Sequence, residues 1–219
     1  MPSPNGRQTL TRVLLVDDHE VLRDGVKKIF EQNGPPATFG DAATAAEAVH
    51  LAAEQDWDLV ILDVSLQGRS GLDVLKELKQ LRPRTPVLML SMHSEAQYAR
   101  RAFKSGAAGY ITKDSSRSEL ARAIHIVLQG HKYVSPQLAD ALVLHLEKET
   151  SGGPHELLSV REFEVLRLIA SGKTVSEIAA ILGVSDKTIS TYRARLLEKM
   201  GLRTNAEITR YAFANGLIE

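Results

Sequence analysis

Four short apolar runs constrain this chain more than any other feature. They are RVLLV, DLVIL, PVLML and GYIT, and each gives way at once to polar or small residues. Between them lie segments with helical spacing of apolar residues, over 19–32, 44–54, 71–81, 95–105 and 117–129. A weaker strand, 38–42, follows the first of these segments. Continuous apolar strands alternating with amphipathic helices form a parallel sheet covered on both faces, because such strands keep no polar face for water. Five units of this kind over residues 10–131 predict an α/β domain with a doubly wound, five-stranded parallel sheet. Functional side chains in that architecture gather at the carboxyl ends of the strands.

The pattern changes after residue 131. SPQLADALVLHLEKE reads as a helix capped by Ser135, with Pro136 in its first turn. TSGGPHE, residues 150–156, reads as a flexible hinge. Residues 132–156 are therefore expected to link two domains, and 157–219 carry only helical signals. Ser159 and Glu162 have capping-box spacing, Gly172 and Gly183 stop helices, Ser185 caps a helix over 186–200, and a last helix covers 205–215. The chain has no cysteine, which excludes disulfides and thiolate metal sites. It has no signal-peptide-like start and no apolar run long enough for a membrane span, so a cytoplasmic chain without membrane contact is expected. Net charge is zero, so any nucleic-acid binding must come from a local patch.

The strand ends carry the chemistry. The first delivers Asp17 and Asp18, the third Asp63, the fourth Ser91, and the fifth is followed at once by Lys113. Adjacent carboxylates raise each other's pKa unless a cation compensates them. Three carboxylates favour a hard divalent cation such as Mg²⁺. A lysine and a hydroxyl suit a phosphoryl group, whose charge spreads over its oxygens. Asp63 is then the natural nucleophile, forming an acyl phosphate. Any one of these residues alone reads as a cap, a turn residue or a solvated charge. Five of them at four strand ends do not.

In the second domain, SEIAAILGVSDKTISTYRARLLEKMG has two helical segments around a glycine-bearing turn, as in a helix-turn-helix. Ile178, Ala179 and Leu182 share one face, as do Ile189, Arg193, Leu196 and Met200. The second helix would lie in the major groove of double-stranded DNA, with Lys187, Thr188, Ser190 and Thr191 in its first turns. Lys187, Arg193, Arg195, Lys199 and Arg203 stand against Asp186 and Glu198, a local excess of +3. So modest a patch suits a dimer that sums two half-sites.

VDDHEVLRDG, LDVSLQGRSGLDVLKELK, PVLMLSMHSE and GAAGYITKD resemble the receiver domain of bacterial two-component response regulators. The resemblance implies a flavodoxin-like fold and a sensor histidine kinase that phosphorylates Asp63. It implies Asp18, Asp63 and the backbone carbonyl of Ser65 as Mg²⁺ ligands, with Asp17 acting through water. Ser91 and Lys113 would contact the phosphoryl oxygens. Tyr110 matches the aromatic switch position that turns inward when Ser91 moves. Gln67 stands where receivers commonly carry proline, which implies a more mobile loop. His93 falls where receivers tune phosphoryl lifetime, or is an ordinary exposed histidine.

LLSVREFEVLRLIASGKTVSEIAAILGVSDKTISTYRARLLEKMGLRTNAEITRYAFANGLI resembles the LuxR-type four-helix domain, so the whole is similar to NarL/FixJ-type regulators. Family base-contacting positions fall on Ser190, Thr191 and Ala194, and Arg195 and Lys199 extend the basic face. The resemblance implies a homodimer on two-fold related DNA, switched by phosphorylation. The last helix, over 208–214, is expected to serve as the dimer contact or as core packing. Two rival readings are weighed. A haloacid-dehalogenase-type enzyme needs a second aspartate two residues after the nucleophile, where this chain has Ser65. A constitutive DNA-binding regulator would not need the complete acid set.

Overall fold

The computed structural model describes residues 10–66, 69–92, 96–136, 138–140 and 153–218. The chain divides into two compact units, Met1–His145 and Leu146–Glu219. Gln67, His93 and much of the expected linker helix and hinge lie outside the described residues.

The first unit runs β1 (Thr11–Val16), α1 (Glu20–Asn33), β2 (Ala37–Ala42), α2 (Ala45–Glu54), β3 (Leu59–Asp63), β4 (Ser65–Leu66), β5 (Arg69–Ser70), α3 (Gly71–Leu81), β6 (Val87–Ser91), α4 (Ala96–Lys104), β7 (Gly109–Thr112), α5 (Arg117–Leu128) and β8 (Tyr133–Val134). The main sheet has the order β2-β1-β3-β6-β7-β8 and is parallel throughout. All five predicted strands form. A sixth, β8, extends the edge beyond β7 within the stretch read as linker, and β4 pairs with β5 in a small antiparallel sheet.

Every residue of β3 and β6 is buried, as two-sided coverage requires. Alternate residues face opposite layers. Val13, Leu15, Leu59, Ile61, Leu88, Leu90 and Ile111 pack with Val26, Ile29 and Phe30 of α1 and Ala123, Ile124 and Val127 of α5. The intervening residues, Tyr110 among them, face the layer of α2, α3 and α4. This alternation leaves the strand ends as the place where polar side chains can emerge.

Among the described residues, the second unit has a 3₁₀ turn, Pro154–Leu157, followed by α6 (Val160–Ala170), α7 (Val175–Leu182), α8 (Asp186–Met200) and α9 (Asn205–Ala214). Complete capping boxes start α6 (Ser159 with Glu162), α7 (Thr174 with Glu177) and α9 (Thr204 with Glu207). Ser185 caps α8. Gly183 and Gly201 end α7 and α8 in the left-handed conformation, where a Cβ would be strained. Ile178, Ile189, Leu196 and Ile208 are fully buried and form the centre of this unit. No helix among the described residues is long and apolar enough to cross a membrane.

Candidate functional site

Parallel pairing brings the predicted strand ends to one edge. Asp63, the last residue of β3, is buried, as are Asp17 and Ser91. The Lys113 ammonium lies 2.7 Å from Asp63 Oδ2 and 2.8 Å from Asp17 Oδ2. Its backbone N–H donates to the Ser91 carbonyl at 2.7 Å, which ties the end of β7 to the end of β6. The Ser65 N–H donates to Asp63 Oδ1 at 3.1 Å. A buried carboxylate, a cation and a hydroxyl-bearing residue from three strands thus share one edge of the sheet.

Electrostatics at this edge are opposed. Burial pushes the Asp63 carboxyl above its ordinary value, and Asp17 adds to that, while Lys113 and the Ser65 N–H pull the other way. Burial also pulls Lys113 down, but its two carboxylate partners outweigh this and hold it above its usual value. The lysine therefore stays charged.

Ligand atoms of Asp17, Asp18, His19 and Asp63 all lie within 4.8 Å of one another. Asp17 Oδ2 and Asp18 Oδ1 are buried and make no hydrogen bond of acceptable geometry, although Lys113 and His19 lie close to them. Buried carboxylate oxygens left in this way, in an oxygen-rich set, fit a hard divalent cation such as Mg²⁺. His19 was not singled out from the sequence. Its Nδ1 lies 3.1 Å from Asp17 Oδ1 and 2.8 Å from Asp18 Oδ1. The only sequence signal was its position directly after the aspartate pair.

Gly71, first residue of α3, packs against the backbone of Asp63 and Val64. Its N–H donates to the Val64 carbonyl at 2.8 Å, and a Cβ here would run into the Asp63 carbonyl oxygen. Tyr110 is fully buried in β7, beside Met89 in register.

In the second unit, α8 exposes Lys187, Ser190, Thr191, Ala194 and Arg195, with Thr188 half-buried. A shallow cavity of about 290 Å³ is lined by Ser185, Lys187, Thr188, Thr191, Tyr192 and Arg195. Ser185 and Tyr192 are additions to the expected set. Lys199 departs from it. Its ammonium lies 2.6 Å from Glu162 Oε2, in the capping box of α6, although its side chain stays 40% exposed. Arg193 donates to Asn205 Oδ1 at 2.7 Å and ties α8 to α9. Both readings of the last helix have a face: Ile208 and Ala212 are buried, and Phe213 is exposed.

Residues 13–125 match the response regulator receiver domain, and residues 156–212 match the bacterial regulatory proteins of the luxR family. The chain is a two-component response regulator of the NarL/FixJ family. The regulator is 32% identical over 209 residues to the response regulator UvrY of Escherichia coli strain K12, covering 95% of this chain and 96% of that one. It is 32% identical over 210 residues to the response regulator GacA of Pseudomonas protegens, covering 96% and 99%. Among solved structures, a LuxR-family two-component response regulator from Aurantimonas sp. SI85-9A1 superimposes with a TM-score of 0.60 at 33% identity, covering 63% of this chain and 99% of that one. The response regulator RcsB in complex with DNA gives 0.58 at 25% identity, covering 93% and 98%. The regulator is a DNA-binding transcription factor that joins a receiver to a LuxR-type helix-turn-helix domain.

Proposed function

We propose that a sensor histidine kinase phosphorylates Asp63 in a Mg²⁺-dependent step, and that this promotes dimeric binding to two-fold related DNA. The observation that carries the reading is Lys113 held between Asp17 and Asp63 at the end of buried strands.

A carboxylate oxygen of Asp63 forms the new bond to phosphorus as the donor's phosphorus–nitrogen bond breaks, and the donor histidine keeps that electron pair. Lys113 supplies a fixed positive charge for the arriving phosphoryl oxygens. Ser91 offers its hydroxyl from the neighbouring strand end. Asp18, Asp63 and the Ser65 carbonyl would hold Mg²⁺ directly and Asp17 through water; when bound, the ion neutralises carboxylate and phosphoryl charge together. Burial of the nucleophile limits access by water. Phosphorylation adds charge and acceptor oxygens beside Ser91, and Tyr110 in β7 is the residue through which that change is read.

On DNA, Lys187, Thr188, Ser190, Thr191, Ala194 and Arg195 would face the major groove and its phosphates, with Tyr192 beside them. Lys199 is better assigned to the support of α6. Intact mass is measured after incubation with a small-molecule phosphodonor and with a competent kinase, with and without Mg²⁺. One added phosphoryl group is expected, lost without Mg²⁺ and absent in Asp63→Asn. Failure with the kinase at short sampling times would remove the phospho-switch. Equal DNA affinity with and without the adduct would remove its link to output.

A further inference from the structure

The loop bearing Asp17 and Asp18 is anchored from outside the acidic cluster by an arginine. Arg23, on α1, donates from one terminal guanidinium nitrogen to the Asp17 backbone carbonyl at 2.5 Å. Its Nε lies 3.3 Å from Asp41 Oδ1, and its side chain is 14% exposed. Asp41 sits in β2 opposite Leu15 of β1, and Lys27 holds its other oxygen at 2.8 Å. The guanidinium thus spans from a fixed strand to the backbone of the acidic loop.

Asp18 is the next residue after the carbonyl that Arg23 holds. The peptide is planar, so the direction of the Asp17 carbonyl fixes the orientation of the Asp18 N–H and the starting point of the Asp18 side chain. Asp17 has further restraints: its N–H donates to the Ala42 carbonyl at 3.1 Å, and its Oδ1 accepts from the His19 N–H at 2.9 Å. Asp18 Oδ1 is buried and lies 2.8 Å from His19 Nδ1 without hydrogen-bonding geometry. The place of Asp18 therefore depends on the backbone beneath it.

We propose that Arg23 is a positioning residue for the acidic site: by holding the Asp17 carbonyl, it aims Asp18 and so sets the affinity for the divalent cation. The proposal rests on the reading of Asp17, Asp18 and Asp63 as a Mg²⁺ site. Arg23 makes one hydrogen bond here, to the Asp17 carbonyl, while its buried Nε stands at ion-pair distance from Asp41 without hydrogen-bonding geometry. The rigid guanidinium plane keeps both relations fixed, which an ammonium on a flexible stem does not.

Electrostatics alone would act in the opposite direction. Arg23 is a cation near a cation site, so removing its charge would tighten Mg²⁺ binding through lost repulsion. Loss of positioning weakens it. The sign of the change therefore separates the two effects.

The full-length chain is titrated with MgCl₂ by calorimetry, as wild type, Arg23→Gln, Arg23→Lys and Asp18→Asn, with thermal unfolding as the check on folding. Arg23→Gln is expected to weaken Mg²⁺ about tenfold, as loss of an outer partner of a metal ligand does. Arg23→Lys is expected to weaken it as well despite keeping the charge. The phosphorylation rate from a small phosphodonor should return to the wild-type value at saturating Mg²⁺, which general structural damage would not allow. Unchanged or tighter binding in Arg23→Gln, with binding abolished in Asp18→Asn, overturns the proposal and leaves the metal site standing. Absence of Mg²⁺ binding in the wild type overturns the metal site and the proposal together. Should Arg23→Gln fail to fold, Arg23→Lys and Asp41→Asn answer the same question by the same titration.

Discussion

Asp63 pairs burial with charge, and the cost is offset only in part. Burial raises its pKa; Lys113 and the Ser65 N–H lower it without cancelling the rise. An acid whose folded value is raised binds its proton more tightly when folded, so the ionised form opposes folding at neutral pH. Asp63→Asn should therefore raise the thermal midpoint of the receiver at pH 7, and the increment on adding Mg²⁺ should shrink. A scanning-calorimetry midpoint that falls instead would mean that the Lys113 contact outweighs burial. Gly71→Ala should act in the other direction. Its Cβ meets the Asp63 carbonyl and Val64 backbone, which cannot yield as a side-chain tip can. A cost of about 1–3 kcal/mol is expected, read by denaturant unfolding, with slower phosphorylation as Asp63 is displaced. The acid set was readable because strand ends are easily located. Arg23 and His19 were not, because a side chain reaching back to its own preceding loop leaves no periodic trace.

The helices of the DNA-binding unit depend on their first turns. Glu162 accepts from the Ser159 N–H at 2.7 Å, closing the box of α6, and pairs with Lys199 of α8. Burial pushes its pKa up, but Lys199 and Ser159 outweigh that and hold it below 4.5. A depressed folded value means that its contribution is complete above the unfolded value near 4.5 and is lost as pH falls through the lower folded one. Glu162→Gln should cost roughly 1–2 kcal/mol at neutral pH and flatten the acid limb of the stability curve. Urea unfolding of the chain and the variant between pH 3 and pH 6 checks this; parallel curves would exclude Glu162 as the titrating group. The boxes at α6, α7 and α9 share one four-residue pattern, but only Ser159 with Glu162 was read from the sequence; the same spacing of Thr174 with Glu177 and Thr204 with Glu207 was not. The partner of Lys199 was not readable, since Glu162 lies 37 residues earlier. Strand β8 escaped for another reason: two residues are too few to show alternation, and what makes them a strand is pairing with β7.

A chain of zero net charge cannot hold DNA through its overall field, so on the proposed reading affinity comes from the exposed face of α8 and its flank. Lys199 pairs with Glu162, so on the proposed reading the phosphate contacts fall to exposed Lys187, Arg195 and Arg203. Each phosphate neutralised changes the slope of log K against log salt by about −0.9. One domain on one half-site should then show a slope of roughly −3, and two domains on a two-fold site roughly −5 to −6. If phosphorylation acts by pairing chains, the slope should double between the unphosphorylated and phosphorylated regulator on the same DNA. If it acts by exposing a domain that binds alone, affinity should rise with the slope unchanged. Fluorescence anisotropy over a salt series distinguishes these, because the slope counts contacts while affinity mixes contacts with availability. Lys187→Ala should lower the slope by about one per domain bound, and so by about two in the dimer. Lys199→Ala should leave it unaltered while destabilising the helical unit. A slope that falls equally in both variants would return Lys199 to the DNA face.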